Sequence, residues 1–392
     1  MKLIKKYFPD FYERIQRHKR RAMIRKLSRG GHKKTVLIIE VNDFHGECLP
    51  GYIKYFHDLG YHVHMFATNR QEKSGFLSRV GVPVKLFCLP KYDMIKCLER
   101  SDFKKGYDFV LIATSQTFIQ EKNAMGSLFS ILKNIPSGKF GFLVVEHNIR
   151  QLYRLKHDRF VAEQKAFSLN GQRDIPMLNP HWFGDVKISD KNARTVFAAT
   201  VNKTSEMNKD TLFNAVKQLV LRGINNFKVI IVGRTVVESI PDDLKEYVEM
   251  TGIVDFPKLW QVYDGVDFLM PMLNPEEQGE GTYKDYSTSA VTGSYQTMLG
   301  FLKPFLLHSY FCDSYRLNKN NAVIYDSTEK LVDAMERAIN MNADEYKGIQ
   351  ENLRALEQEI YTTSLNNLKS MIALHSTKST NPPIDSVDKI AA

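Results

Sequence analysis

Ten short runs of apolar residues, each four to six long and each set apart from the next by a segment of helical character, constrain this chain more than any other feature. The first five are 36–41 (VLIIEV), 63–67, 84–88, 109–113 and 141–145; the second five are 195–199 (TVFAA), 227–232 (FKVIIV), 266–270 (VDFLM), 304–308 and 322–325. A strand that is apolar at consecutive positions buries both faces, and such strands separated by helices belong to parallel sheets covered on both sides. Asn179-Pro180 opens the second cycle, with no repeat of sequence between the two. At 392 residues the chain suits two domains of about 150 to 200 residues rather than one core. The expectation is an α/β protein of two doubly wound domains, 35–178 and 179–355, facing each other across a cleft at the carboxyl ends of their strands. Helices in the second are expected at 209–222, 243–250, 257–263, 288–299 and 328–340. A C-terminal helix over 356–375 and a polar, disordered tail over 376–392 follow.

Within the second cycle, 287–304 reads STSAVTGSYQTMLGFLKP. Short hydroxyl and glycine residues run into Val291, Tyr295, Met298 and Leu299 at helical spacing, and Gly300 precedes the next apolar run. That order predicts loop, helix, glycine stop and strand. Ser287, Thr288, Ser289 and Thr292 then bring hydroxyls and free backbone N–H groups to the positive end of a helix dipole, a site for phosphate or pyrophosphate. An ordinary N-cap is the alternative, since Ser and Thr cap helices of every kind.

Charge is unevenly placed. The net charge is +10, yet residues 1–34 hold 13 Lys or Arg against Asp10 and Glu13, which makes +11 and leaves the other residues at −1. Pro9 suits a first helical turn, Gly30-Gly31 a stop, and Phe8, Phe11, Tyr12, Ile15, Met23, Ile24 and Leu27 a partial apolar stripe. Residues 1–34 therefore read as a basic amphipathic helical extension. Its residues 1–30 can lie on an anionic membrane surface, where each Lys or Arg contributes about 1 kcal/mol; a nucleic-acid arm and a solvated extension are the alternatives. No basic groove follows, so no nucleic-acid partner is expected. There is no run of 18 apolar residues, and the start is too charged for a cleaved leader. The expected location is cytoplasmic, peripheral on the inner face of the cell membrane. Cys48, Cys88, Cys97 and Cys312 lie scattered without a CxxC pair, as reduced thiols rather than a disulfide or zinc set.

In order, the second half carries Asn179-Pro180, FAAT at 197–200, Lys209 ahead of a helix, KVIIVGR at 228–234, TGIVDFPKLWQVYDGVDFLMP at 251–271 and GFLKP at 300–304. The first half carries His45-Gly46-Glu47 before a helix and LGYHVHMFAT at 59–68. In these features the chain resembles the nucleotide-sugar glycosyltransferases of the GT-B fold, in particular the family 4 group of bacterial surface polysaccharide type, over 36–340. The resemblance implies two Rossmann-like domains, a nucleotide diphosphate sugar as co-substrate, no cofactor and no metal, and a saccharide or lipid-linked acceptor. The sequence has no Asp-x-Asp triplet and no G-x-x-x-x-G-K-[ST] phosphate loop.

The family pattern also implies roles for single positions. Its glycine loop, here His45-Gly46-Glu47, lies against the donor phosphates and the acceptor, and the missing side chain at Gly46 allows close backbone approach. Lys209 takes the place of the phosphate-binding lysine, although a helix lysine in water is its plain reading. The partner arginine is missing, with Ala199-Thr200 standing there, and Lys203 is the candidate to replace it. Arg234 and Ile253-Val254-Asp255 correspond to the base-binding loop. The family's two glutamates, eight positions apart, are also missing, because Ser287 and Tyr295 occupy their places. A carboxylate for the sugar or ribose hydroxyls then comes from the preceding loop, at Glu276, Glu277, Glu280 or Asp285.

Three histidines complete the candidates. His147 follows a first-half strand in Val145-Glu146-His147-Asn148 and resembles the family's histidine that faces the transferred sugar; a backbone-bonded core histidine is the alternative. His45 is the second catalytic candidate, as the general base that an inverting reaction requires, whereas the resemblance implies retention. His181, beside Trp182, either touches a ligand or packs at the hinge. The function expected is metal-independent, retaining transfer of a sugar at the cytoplasmic face of a bacterial membrane. A sugar-nucleotide epimerase and a non-catalytic nucleotide-sugar-binding scaffold are the rivals, the scaffold favoured by the missing glutamates.

Overall fold

The structure is a computed structural model that describes residues 18, 22, 34–43, 45–91, 93–94, 97, 107–114, 141–150, 158–171, 174–200, 206–233, 240–276 and 285–377. The expectations for the basic extension (its residues 18, 22 and 34 apart), Lys203, Arg234, Glu277, Glu280, the side chain of Asp285 and the tail beyond 377 lie outside the described residues.

Six parallel strands form the first sheet: β1 (Thr35–Ile39), β2 (His62–Ala67), β3 (Val84–Cys88), β4 (Phe109–Ile112), β5 (Gly141–Glu146) and β6 (Ala166–Ser168), in the order β3-β2-β1-β4-β5-β6. The second half repeats the plan with β7 (Thr195–Ala199), β8 (Phe227–Ile231), β9 (Val248–Met250) and β10 (Phe268–Met270), ordered β10-β7-β8-β9. A parallel bridge from Leu269 to Phe305 continues this sheet toward the pair β11 (Leu306–His308) and β12 (Val323–Tyr325). Both halves therefore follow the 3-2-1-4-5-6 doubly wound order, whose strand ends open a crevice at the point where the order reverses.

Alternation explains why the strands read as unbroken apolar runs. Val36 and Ile38 of β1 enter one core cluster and Leu37 and Ile39 another, one on each face of the sheet. The cluster holding Val36 and Ile38 also contains Ala198, Trp260, Leu269 and Phe301 of the second half. The two sheets thus share a continuous apolar core.

The segment expected as a helix over 243–250 is a 3-10 turn, Asp242–Leu244, followed by strand β9. Leu244, Tyr247 and Val248 are all buried, and their spacing imitates a helical face; pairing of Val229 N–H to the Tyr247 carbonyl (2.7 Å) decides for the sheet. Strand β6 was not expected at all. The C-terminal helix begins at Ala343 rather than 356.

Helices α1 (Leu49–Asp58), α2 (Glu206–Leu221), α3 (Phe256–Gly265), α4 (Gly293–Phe301), α5 (Leu331–Asn340) and α6 (Ala343–Thr377) cover the sheets. Gly300 does not stop α4, which runs through it and ends at Leu302 in the left-handed region (φ 52°). Its glycine is needed for packing: a β-carbon there would lie 2.0 Å from the His181 carbonyl oxygen, and one at Gly51 of α1 would lie 2.5 Å from Pro180. The connection at Asn179-Pro180-His181 is therefore threaded between two helices at two glycines. His181 is fully buried, with its ring nitrogens 3.2 Å from Asn179 Oδ1 and 3.0 Å from Glu357 Oε1, so it packs at the hinge.

Helix α6 ties the halves together along its length. Near its start Tyr346 donates to the Asp267 carbonyl (3.0 Å) and Gln350 to the Leu302 carbonyl (3.0 Å). Further on, Ser364 accepts from the Asn179 amide (3.1 Å) and Asn367 donates to the Met177 carbonyl (3.0 Å). On the cleft side the halves are clasped by Phe256 N–H to the Ser74 carbonyl (2.8 Å) and by an Arg79–Asp264 ion pair (2.7 Å). Among the described residues no helix is long and apolar enough to cross a membrane.

Candidate functional site

The loop after β1 builds the first wall. His45 adopts φ 62°, ψ 20°, a left-handed conformation that costs a non-glycine residue about 1 kcal/mol and that clusters at functional sites. Gly46–Cys48 then form a 3-10 turn leading into α1, and Gly46 is held against the second half, since a β-carbon there would come within 2.8 Å of the Phe256 ring. The turn brings Glu47 back beneath His45, with Nδ1 to Oε1 at 3.3 Å.

Glu47 burial favours protonation, but the hydrogen bond and charge of His45, its own amide and His147 hold the carboxyl below the usual range, so it is an anion that only accepts. Nδ1 of His45 therefore carries the proton, and Nε2 keeps its lone pair. Burial alone would lower the His45 pKa; the Glu47 bond and charge, with Glu40, raise it above the ordinary value instead.

His147, at the end of β5, meets His45 edge to face with centroids 4.8 Å apart. Its Nε2 lies 3.2 Å from the Ala113 carbonyl and 3.5 Å from Thr114 Oγ1, at the end of β4. A carbonyl only accepts, so Nε2 is the protonated nitrogen. Burial, helped by the nearby His45, pushes its pKa down to about 3, so this imidazole stays neutral.

The second wall is the N-terminus of α4. Thr292 caps it, its hydroxyl accepting from Ser294 N–H (3.4 Å), while Thr200, at the end of β7, lies 3.0 Å from the Ser294 hydroxyl. A β-carbon at Gly293 would lie 3.9 Å from Glu47 Oε1, so the helix N-terminus and the His45–Glu47 pair face each other directly. Glu47 and the helix N-terminus both line a cavity of about 330 Å³, backed by Phe256, Trp260 and Tyr263 of α3. Trp260 is 2% exposed and its indole N–H is buried without a hydrogen-bond partner, a donor aimed at no protein acceptor. Glu47 is the one carboxylate among the residues lining the cavity; hydroxyls and aromatic faces make up much of the rest. Among the described residues no group of three or more His, Cys, Asp or Glu is placed to hold a metal ion.

No protein-family model matches the chain, and no curated protein matches it. A solved glycosyltransferase from Rickettsia africae aligns with 90% of this chain and 100% of its own, with a TM-score of 0.53 at 12% identity. The chain has the GT-B fold. Anabaena HepE, solved with UDP and glucose, aligns with 87% of this chain and 100% of its own at 12% identity and a TM-score of 0.49. AviGT4, a glycosyltransferase of avilamycin A biosynthesis, aligns with 87% and 98% at 11% identity and 0.49.

Within this GT-B frame the expected residues fall into two groups. His45, Gly46, Glu47 and His147 come together, but of the expected residues only Glu47 and Thr292 line the cavity, with the two histidine rings behind Glu47. Ser287, Thr288 and Ser289 do not cap α4: Asp285–Thr288 is a separate short helical turn, and Ser289 is buried with its carbonyl accepting from Ile149 N–H (2.8 Å). An antiparallel Asn148–Ala290 bridge, just past the end of β5, claims these residues for the join between the halves. Tyr295, in the place of the second family glutamate, is buried and donates to the Tyr315 carbonyl (3.0 Å). Lys209 in the first turns of α2 and Val254, just before the Asp255 cap of α3, are not among the residues lining the cavity. Glu276 is exposed, its amide bonded to Asn274 Oδ1 (2.9 Å).

Thr114, Ser294, Thr297, Trp260 and Glu40 were not singled out from the sequence. Only Glu40 carried a legible signal, as the lone charge inside the run VLIIEV.

Proposed function

We propose that this chain is a glycosyltransferase that moves a sugar from a nucleotide diphosphate sugar to a hydroxyl acceptor. The observation that carries the reading is the opposition of Glu47 and Gly293. A carboxylate that orients a base and a helix N-terminus suited to a leaving phosphate adjoin on the wall of one small cavity. The GT-B fold shared with the Rickettsia africae glycosyltransferase is consistent with it.

In the reaction, Nε2 of His45 takes the acceptor O–H proton while the oxygen forms its bond to the anomeric carbon. The bond from that carbon to the diphosphate oxygen breaks, and the nucleoside diphosphate leaves toward the first amides of α4 and the hydroxyls of Thr200, Thr292 and Ser294. Glu47 holds the proton on Nδ1 and supports the imidazolium that forms, and neutral His147 braces the ring edge. Attack from the face opposite the leaving group inverts the anomeric centre. The resemblance implied retention; a paired base is the feature that favours inversion, because direct attack from the opposite face requires one, whereas in front-face retention the leaving diphosphate can take the proton. The helix N-terminus supports departure without a metal ion. We further propose a saccharide or lipid-linked acceptor of bacterial surface polysaccharide synthesis, met at the inner face of the cell membrane with residues 1–30 on the anionic surface.

The test is release of nucleoside diphosphate from a panel of nucleotide sugars, followed by chromatography in EDTA with a lipid-phosphate acceptor analogue. Transfer from at least one donor, undiminished by chelator, is the expected result. Epimerised free nucleotide sugar without transfer would select an epimerase, and binding without any turnover a scaffold.

A further inference from the structure

Glu40 lies directly after β1 and is fully buried, yet it is absent from the residues that line the cavity. Both of its oxygens are used. Oε1 accepts from the Asn42 amide at 2.7 Å and Oε2 from the Thr114 hydroxyl at 2.6 Å. The Thr114 oxygen in turn lies beside His147 Nε2 (3.5 Å), and the His147 ring abuts His45. A hydroxyl has one proton. While Glu40 is ionised that proton points at Glu40, and the Thr114 oxygen is left as an acceptor toward the Nε2–H of His147. A protonated Glu40 can itself donate to Thr114, which frees the hydroxyl proton from Glu40 and lets the hydroxyl rotate out of the orientation that presents a lone pair to the Nε2–H.

We propose, on the reading of His45 as the base, that Glu40 is a positioning residue of this cleft: its carboxylate sets the direction of the Thr114 hydroxyl that braces His147, and its charge helps hold the proton on His45. Burial pushes the Glu40 carboxyl up to about 7, against the lowering effects of Thr114, His45 and the Asn42 amide, so the switch falls in the working range of the base. The titratable groups that face Glu40 are His45, Glu47, Cys48 and Tyr52 from its own loop and α1, with His147 of the β5 loop one hydroxyl away. Two interacting groups with overlapping titrations release their protons in steps that belong to the pair.

The experiment is an NMR titration of ring-labelled histidines in the full chain, wild type against Glu40→Gln, which needs no substrate. Wild type is expected to show a two-step shift for His45. Glu40→Gln should show one step with its midpoint lower by about half a pH unit or more. Superposable His45 curves overturn the proposal. Thr114→Val and Thr114→Ser supply a second reading: the valine variant should alter the His147 ring signals and the serine variant restore them, and unchanged signals in Thr114→Val overturn the relay. The curves separate this proposal from the reading of the enzyme, since coupled titration in a protein that transfers no sugar would retire the glycosyltransferase and leave the Glu40 linkage measured. When transfer is observed, the acid limb of kcat should move with the His45 midpoint in Glu40→Gln.

Discussion

His45 and His147 meet edge to face in the cleft, ring centroids 4.8 Å apart and planes at 70°, one held above its ordinary pKa and the other held neutral. Two identical side chains are thereby given different tasks. His45 has a carboxylate on Nδ1, and His147 has a backbone carbonyl on Nε2.

The backbone of His45 separates its structural cost from its chemical use. His45→Ala and His45→Gly both remove the imidazole and should lower turnover about 100-fold or more. Only glycine relieves the left-handed strain at φ 62°. Thermal melts should place the glycine variant at or above the alanine variant, and an alanine variant clearly the more stable would contradict the strained geometry.

Gly300→Ala tests the threaded hinge. The added methyl would meet the His181 carbonyl oxygen at 2.0 Å and the Phe183 ring at 2.3 Å, so the expected loss is about 3 kcal/mol or more of stability. Gly223→Ala, where nothing lies within 4 Å but φ is 76°, should cost about 1 kcal/mol. Equal denaturation midpoints for the two would argue against the close passage of the connection.

His147 gives the protein an acid weakness. Its pKa is near 3 when folded and near 6.5 when unfolded, so below pH 6.5 the unfolded chain binds the extra proton. Its contribution is complete above pH 6.5 and is lost as pH falls toward 3, by on the order of 2 to 3 kcal/mol after allowance for partial exposure. His147→Gln should flatten that part of the stability profile in circular dichroism melts; an unchanged acid slope would place the titrating group elsewhere.

Deleting residues 1–30 should release the protein from phosphatidylserine vesicles and leave transfer to a soluble acceptor analogue intact. Residues 1–30 hold 11 Lys or Arg against Asp10 and Glu13, nearly all of the chain's positive excess, and their attraction should fade between low and physiological salt. Binding that survives the deletion in a flotation assay would refute the anchor.

Long buried strands were the part of this protein most open to reading, because β1, β7 and β8 need consecutive apolar residues to fill both faces of a sheet. Strand β9 escaped because Leu244, Tyr247 and Val248 imitate a helical face. Gly300 was visible as a helix stop and is instead a contact with a carbonyl 119 positions earlier in the chain, at His181, which local pattern does not encode. The site shows the same division. His147 was singled out at a strand end and His45 in the loop that resembles the family's glycine loop, whereas Glu47 was named only as a member of that loop. Of the hydroxyls expected at the helix N-terminus, Ser287, Thr288, Ser289 and Thr292, only Thr292 caps α4, since which hydroxyl begins a helix depends on where the preceding segment docks, here on the end of β5.

The paired base, His45 on Glu47, stands or falls with the stereochemistry of the product. The anomeric proton coupling of the first-formed product, followed by NMR from a donor of known configuration, measures that directly. Base-assisted attack across the cleft predicts an inverted anomeric centre; a retained configuration would contradict it and leave His45 with a role in binding alone.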